Sequence, residues 1–131
     1  MISKAILAVT TVGDAGVAVG SVTTEEVIRG RVLAVKINYH ASAPAATTDV
    51  TLAQANEQVV ANIVNRPNSV TDVTLYPRVG VTDVAGAALT YDGTRPVVEP
   101  FPVCDKLILS VAGCDALTNA VIVEIYYDEG W

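Results

Sequence analysis

The stretch Ala120-Val121-Ile122-Val123-Glu124-Ile125-Tyr126-Tyr127 indicates the fold class most clearly, because its apolar side chains recur every second residue. A period of two is the signature of a β-strand with one buried face, and it places Glu124 on the opposite face. Lys106–Ala112 repeats the pattern, and residues 113–119 between the two stretches are rich in turn formers. We predict two strands joined as a long hairpin, with these residues on the buried faces: Leu107, Leu109, Val111, Val121, Val123, Ile125 and Tyr127.

Three further segments carry the same signal earlier in the chain. Arg29–Tyr39 predicts a strand with one solvent-facing side and one buried side. Lys36 and Asn38 mark the wetter, solvent-facing side, which also carries Val32 and Ala34. The opposite side carries Leu33, Val35, Ile37 and Tyr39. Thr47–Ala53 predicts a strand that turns Val50 and Leu52 inward. Strands at Lys4–Val12 and Ala15–Thr23 flank Gly13-Asp14, which predicts an N-terminal hairpin. We interpret the apolar N-terminus as a first strand rather than a signal peptide.

The middle of the chain is harder to assign. Gln54–Val64 has apolar residues at helical spacing, but its β-branched content favours a strand over residues 58–64, and both interpretations stay open. Five of the six prolines lie between positions 67 and 102. Proline cannot donate to a sheet ladder, so this region should consist of loops, turns and edge strands, with short strands at Val70–Leu75, Ala87–Tyr91 and Val97-Val98.

The composition supports an all-β domain. The 131 residues include 23 Val, 18 Ala and 13 Thr, which favours many short strands built from small or β-branched side chains. We expect one domain over residues 1–131, with about 8 to 10 short strands. Without intervening helices the strands should be antiparallel, because parallel pairs need long crossovers. A sandwich or barrel is therefore predicted.

The apolar excess has to be covered somewhere. Hydrophobic residues make up 51% of the chain, yet its longest uncharged stretch, Ile37–Thr48, falls far short of the roughly 20 apolar residues of a membrane-spanning helix. A domain of this size buries only about two-thirds of its surface, so part of the excess is expected to meet other subunits. The net charge of −6 and the scattered Lys and Arg residues argue against direct nucleic-acid binding.

No residue set predicts a chemistry. His40 is the only histidine, and we interpret it as a strand-end or interface residue rather than a catalytic or metal-binding one. Cys104 and Cys114 are expected to be free thiols that behave as small buried hydrophobes, consistent with a reducing cytosol. The carboxylates at predicted turns leave open a calcium site in a loop, where the ion would stabilise the fold. The densest acidic points are Glu25-Glu26 and Asp128-Glu129. We expect no enzyme activity and no cofactor.

The aromatic residues give the candidate interface. Trp131 is a large apolar ring at the last position, and termini fray unless something ties them down. We expect it to anchor either its own sheet or a neighbouring subunit. The further candidate interface residues, each of which also fits a core or strand-end position, are Tyr126, Phe101 and Tyr76.

The stretch Ala87-Ala88-Leu89-Thr90-Tyr91-Asp92-Gly93-Thr94-Arg95-Pro96-Val97-Val98-Glu99-Pro100-Phe101-Pro102-Val103, the strand that follows it, and Gly30–Ile37 resemble small all-β head proteins of tailed bacteriophages. The resemblance covers about half of the chain and includes no catalytic signature. It implies a β-sandwich or jelly-roll subunit, often a homotrimer, that decorates or cements a capsid lattice after synthesis in the host cytoplasm. The implied partners are the major capsid protein and copies of this chain, and multivalent attachment would add modest contacts into tight binding.

Two other function classes stay open. One is a different virion subunit, from a tail tube, neck or fibre. The other is a carbohydrate-binding β-sandwich, which predicts an exposed pair of aromatic rings on one face. An enzyme comes third.

Overall fold

A computed structural model describes residues 1–42, 44–56 and 62–129, and every regular element in these ranges is a β-strand. Ten strands follow one another along the described chain, within the range of 8 to 10 expected from the sequence. Their bounds are β1 Ile2–Val9, β2 Ala18–Thr23, β3 Ile28–Tyr39, β4 Asp49–Gln54, β5 Val64–Arg66, β6 Val73–Leu75, β7 Arg78–Gly80, β8 Val98–Asp105, β9 Leu107–Cys114 and β10 Val121–Asp128.

The strands form two antiparallel sheets. The first sheet has the order β1-β10-β3-β8-β7, and β6 pairs with the free part of β3. The second sheet has the order β2-β9-β4-β5. All pairings are antiparallel, as the absence of predicted crossovers implied.

The pairings are nested. β1 pairs with β10, β2 with β9, β3 with β8 and β4 with β5. The chain therefore runs out along four strands and returns antiparallel along the four that match them in reverse order. Strands β6 and β7 are short additions within the return path.

The inner faces of both sheets share one hydrophobic core. Alternation along each strand turns apolar residues inward, and the predicted inward residues of β4, β9 and β10 up to Ile125 are buried. Fully burying a valine or leucine contributes about 1.5–3 kcal/mol, so a core of such small residues requires many of them. Its largest completely buried members are Ile37, Leu52, Leu107, Leu109 and Ile125.

A β-bulge at Leu33 divides β3 into two halves. Tyr126 of β10 is opposite Ala34 and Tyr127 is opposite Val32, which leaves Leu33 without a partner in β10. The extra residue reverses the alternation, as bulges do. The prediction that Val32 lies on the wetter face is therefore wrong: Val32 is completely buried. The prediction for Val35, Ile37 and Tyr39 is confirmed.

Strand β8 contains two prolines and is longer than the sequence predicted. The backbone N–H of Cys104 donates to Gln54 Oε1 at 3.4 Å, so the even-numbered residues of β8 direct their backbone groups away from β3. Pro102 consequently costs no hydrogen bond in the β3–β8 ladder, where it lies opposite Arg31. The expectation of loops and turns over residues 99–102 is wrong for this reason.

Both predicted hairpins are wrong, although their strands exist. β9 belongs to the second sheet and β10 to the first, and the same holds for β2 and β1. Only the isolated bridge between Val12 and Val19 remains of the N-terminal hairpin. Alternation indicates which face of a strand is buried, but strands on opposite sides of a core show the same pattern, so it does not indicate the sheet.

The less regular middle of the chain departs from the predictions in other ways. Within Val70–Leu75 only β6 is a strand, β7 was not predicted, and the expected strand Ala87–Tyr91 makes isolated bridges only. Residues 57–61 of the ambiguous segment Gln54–Val64 lie outside the described residues, so helix against strand is not decided there. Its end is described: Ile63 is buried and β5 begins at Val64.

Candidate functional site

The outer face of the first sheet brings two of the sequence-predicted interface residues into one row. Tyr126 of β10 lies between Lys4 of β1 and Ala34 of β3 in the ladder register. Leu75 of β6 is opposite Val35 of β3, so Tyr76, the next residue, lies beside Ala34 on the side of β3 away from β10. The two tyrosines thus flank a small side chain on a surface that faces away from the core. We call Lys4, Tyr126, Ala34 and Tyr76 the tyrosine row.

Tyr126 is held by its neighbour on the same face. Its hydroxyl donates to Glu124 Oε2 at 3.0 Å, and Lys4 Nζ lies 3.9 Å from Glu124 Oε1. The bond to Glu124, followed by desolvation, raises the pKa of Tyr126 above its ordinary value, so the phenol stays a neutral donor. The ring is half-buried and oriented, whereas the Tyr76 side chain is 64% exposed.

The backbone around Tyr76 is fixed to the bulge. Arg78 Nη1 donates to the carbonyl of Leu33 at 3.2 Å and to that of Pro77 at 2.7 Å. An arginine thus bonds the bulged residue that β10 leaves unpaired, and it joins the start of β7 to β3. Tyr76 is one residue before Pro77, so this contact limits its movement.

The other two predicted interface residues do not join the tyrosine row. Phe101 lies opposite Val32 in β8 and packs, half-buried, against the core. Alternation places it on the inner side of the sheet. Trp131 lies outside the described residues, and its predicted role stays a prediction.

A groove separates the edge strands of the two sheets. Its volume is about 370 Å³, and Leu7, Val22 and Ile28 supply apolar walls between β1 and β2. Lys4, Glu25 and Glu26 provide the charged lining. Tyr127 also lines it, and burial, with Glu129 and Glu26 adding smaller effects, raises the pKa of its phenol.

An ordered arm, Val81–Val97, projects between β7 and β8. Nearly all its residues are exposed, and none belongs to the core or packs against it. At the base of the arm the N–H of Val81 donates to the carbonyl of Val97 at 2.9 Å. In its middle, Leu89 donates its N–H to the carbonyl of Val81 and accepts from the N–H of Val97. Bridges at Thr82–Ala88 and Thr90–Pro96 complete a small folded unit. The arm carries Val84, Leu89 and Tyr91 in solvent.

Two aspartates shape the turns of the arm. Asp83 Oδ1 accepts from the N–H groups of Ala85 and Ala87, and Asp92 Oδ1 accepts from those of Thr94 and Arg95. Asp92 Oδ2 also lies 2.7 Å from Arg95 Nε. The backbone N–H of Arg95, followed by its side chain and by Thr94, holds the pKa of Asp92 well below its usual range. These carboxylates order their own turns.

The residues considered for chemistry are dispersed. His40 follows β3, and its Nδ1 accepts from the Ser42 N–H at 3.0 Å. Cys114 is buried, with its Sγ 3.8 Å from Thr11 Oγ1, whereas Cys104 is exposed on β8, so the expectation that both thiols are buried is wrong for Cys104. Both cysteines are free. Across the described ranges, no group of three or more His, Cys, Asp or Glu is placed to hold a metal ion.

The comparisons with known proteins add no relative. No family model, no curated protein and no solved structure matches the chain. Among the residues that the structure describes, no helix has the length and apolar character needed to cross a bilayer.

The arm and the long β1 edge are the surfaces that sequence reasoning missed. The arm has a signal, since Asp83 to Gly86 and Asp92-Gly93 are turn formers nine residues apart. That pattern indicates two turns but does not reveal that the segment between them leaves the body. The edge has no signal in the sequence, because every residue of β1 pairs with a residue of β10 that is 112 or more positions away.

Proposed function

We propose that this chain is a virion structural protein, a capsid decoration or cement protein that binds the phage head lattice as a homo-oligomer. We further propose that its two sheets form a jelly-roll β-sandwich. The nested pairing of β1 with β10, β2 with β9, β3 with β8 and β4 with β5 supports that assignment. Jelly rolls occur in viral capsid proteins and in lectins, so the fold alone does not choose between them.

The arm is the observation that carries the proposal. Its turns are preordered by Asp83 and Asp92, so docking would cost little conformational entropy. It displays three apolar side chains away from the body: Val84 is fully exposed, Tyr91 is 74% exposed and Leu89 is 40% exposed. An ordered apolar arm suits a subunit that grips a neighbour. The second half of the arm is also where the sequence resembles phage head proteins.

The proposed partners are the major capsid protein and copies of this chain, with the homotrimer that the resemblance implies as the expected oligomer. The location is the capsid surface, after synthesis in the host cytoplasm. The role is structural, without catalysis or a cofactor. Repeated sites on a lattice would convert a modest contact for each arm into stable attachment.

The test is co-sedimentation with empty shells assembled from the major capsid protein of the same genome. The chain should pellet with the shells at a saturable, fixed stoichiometry. Val84→Asp should weaken binding at least about tenfold, since a charge is then desolvated in the contact. Val12→Asp is the matched control, because Val12 is 68% exposed but lies outside the arm. A chain that stays in the supernatant at every concentration contradicts the proposal.

A carbohydrate-binding module is the second candidate, favoured by the tyrosine row. Tyr76 and Tyr126 on one face resemble the aromatic platform on which sugar rings stack. This function predicts that a glycan raises the melting temperature of the chain and that Tyr76→Ala abolishes the shift.

A different virion subunit would instead form rings or tubes visible by negative-stain microscopy.

A further inference from the structure

The strands at the sheet edges differ in how they are protected from pairing with another chain. β7 and β5 have three residues each, and they adjoin Pro77 and Pro67. β2 carries a register shift between Ala18 and Gly20. Short length, proline and bulges are the devices that blunt edges against pairing. Among the described edge strands, β1 alone is long and regular: eight residues, Ile2–Val9, in unbroken register with β10.

The hydrogen bonds show which backbone groups of β1 face outward from the sheet. Glu129 N–H donates to the carbonyl of Met1 at 3.1 Å, so the odd-numbered residues of β1 bond to β10. In an antiparallel ladder both groups of a residue point the same way and alternate along the strand. The even-numbered residues therefore direct N–H and C=O to the open edge. Val12, also even-numbered, confirms the direction by exchanging bonds with Val19 of the opposite sheet. These edge residues are Ile2, Lys4, Ile6 and Ala8.

The side chains of the same edge are apolar or charge-compensated. Ile2 and Ile6 are 66% and 55% exposed, and Met1 beside them is 86% exposed. The Lys4 ammonium lies 3.9 Å from the Glu124 carboxylate, so its charge is partly compensated. A lysine that protects an edge would instead stand uncompensated.

We propose that β1 pairs antiparallel with β1 of a second copy of this chain, which joins two first sheets into one continuous sheet. The inference rests on the proposed self-association of this chain and concerns a two-fold contact, which joins two copies and would therefore link chains of two homotrimers rather than close the trimer itself. Ile2 would lie opposite the partner's Ala8, and Lys4 opposite the partner's Ile6. The contact is isologous, since each copy offers the same strand to the other.

Three physical requirements select this register. Core-facing residues must remain on the core side, which requires even-numbered residues to meet even-numbered ones. All four edge residues must exchange their backbone bonds, which the Ile2–Ala8 and Lys4–Ile6 pairs achieve from both sides. Like charges must not be directly opposite, and the alternative that aligns Lys4 with the partner's Lys4 fails this.

Charge complementarity favours a second copy as the occupant. Ile6 lies opposite Glu124 within one chain, so the proposed register places Lys4 in the same cross-sheet row as the partner's Glu124, with only the partner's Ile6 between them. Each ammonium then lies between two carboxylates. The pairing also covers Ile2 and Ile6, which are exposed in the single chain.

Amide hydrogen exchange followed by NMR tests the pairing itself. In the single chain the amides of Lys4 and Ile6 face the open edge and should exchange freely, whereas those of Ala5 and Leu7 are protected by β10. Raising the concentration from about 5 μM to about 500 μM should protect Lys4 and Ile6 at least about tenfold. A chain that associates without protecting these two amides, or that stays monomeric throughout, overturns the proposal.

Charge substitutions supply a second measurement. Ile6→Lys places like charges opposite each other twice in the pair and should weaken association about 100-fold or more in sedimentation equilibrium. The variant should still fold, because residue 6 lies opposite Glu124 in its own chain. Val17→Lys is the matched control, because Val17 is 65% exposed and lies outside both β1 and the arm, and this variant should associate as the native chain does. Equal association of Ile6→Lys and the native chain overturns the proposal.

Both measurements use the purified chain alone, so they separate this inference from the proposed function. Self-association through another surface leaves the virion role standing and removes β1 pairing. Failure to bind shells by a chain that protects Lys4 and Ile6 removes the virion role and leaves β1 pairing.

Discussion

Individual residues hold the crossings between the two sheets. Thr11, after β1, is 2% exposed, and its hydroxyl donates to the carbonyl of Asp115 at 2.6 Å and accepts from the N–H of Leu117 at 3.1 Å. One side chain thus satisfies two backbone groups of the connection between β9 and β10. Such contacts replace the hairpin that the sequence predicted there.

Replacing Thr11 with valine should destabilise the fold by about 1–3 kcal/mol, because the Leu117 N–H loses its partner in a poorly hydrated site. Urea unfolding measures the loss. Thr11→Ser keeps the hydroxyl and serves as the control: the Leu117 amide should exchange faster in the valine variant and not in the serine variant. Equal exchange in both variants contradicts the assigned role.

Gly30 marks a close approach between β3 and the end of β10. Its φ is +127°, and a Cβ there would overlap the backbone carbonyl of Asp128. Gly30→Ala should cost about 3 kcal/mol or more, since the obstacle is backbone rather than a movable side chain. Gly86 of the arm has φ +86° with open space around it, so Gly86→Ala should cost only about 1–2 kcal/mol. Similar losses for both variants would contradict the close approach.

At the scale of elements, what the sequence predicts well is set by alternation. β3, β4, β9 and β10 were predicted near their observed bounds because burial on one face imposes a strict period. β8 is longer than the sequence predicts, because proline usually ends a strand, whereas Pro102 occupies a position whose N–H would not bond to β3. The bulge at Leu33 was missed because pairing geometry, and not local composition, determines it.

The arm should be separable from the body. Replacing Thr82–Pro96 with Asn-Gly leaves a two-residue turn between Val81 and Val97, which already bond to each other. Stability in urea should change by no more than about 1 kcal/mol, because the removed residues bury little apolar surface. The same variant should lose shell binding. A loss of several kcal/mol would show that the arm belongs to the folded body.

The order of the arm should depend on pH through Asp92. Its pKa is lowered in the folded arm, so the carboxylate stabilises the turn above the ordinary Asp pKa of about 3.9, and this stabilisation is lost as the pH falls through the lowered value. The amide shifts of Thr94 and Arg95 should stay constant from pH 7 to about 5. Asp92→Asn should disturb them throughout, whereas Asp14→Asn, with the same charge change in another turn, should not. A midpoint of the shift change near the ordinary Asp pKa of about 3.9 would contradict the lowered pKa of Asp92.

At the scale of the whole molecule, the all-β class followed from composition and period, but the arrangement of strands did not. Nested pairing joins residues more than a hundred positions apart, such as Ile2 and Asp128, and local patterns contain no information about such pairs. For the same reason the tyrosine row was predicted as separate residues: Tyr76 and Tyr126 become neighbours only because β3 carries β6 on one side and β10 on the other. The arm leaves the body without a compositional change that would mark it.

We propose above all that the exposed apolar surface of this chain is covered by other subunits, first of all by copies of itself. Sedimentation equilibrium of the intact chain, from about 1 μM to several hundred μM, tests it most directly. We expect masses that rise with concentration to a multiple of 13.7 kDa. A mass of 13.7 kDa at every concentration would contradict it.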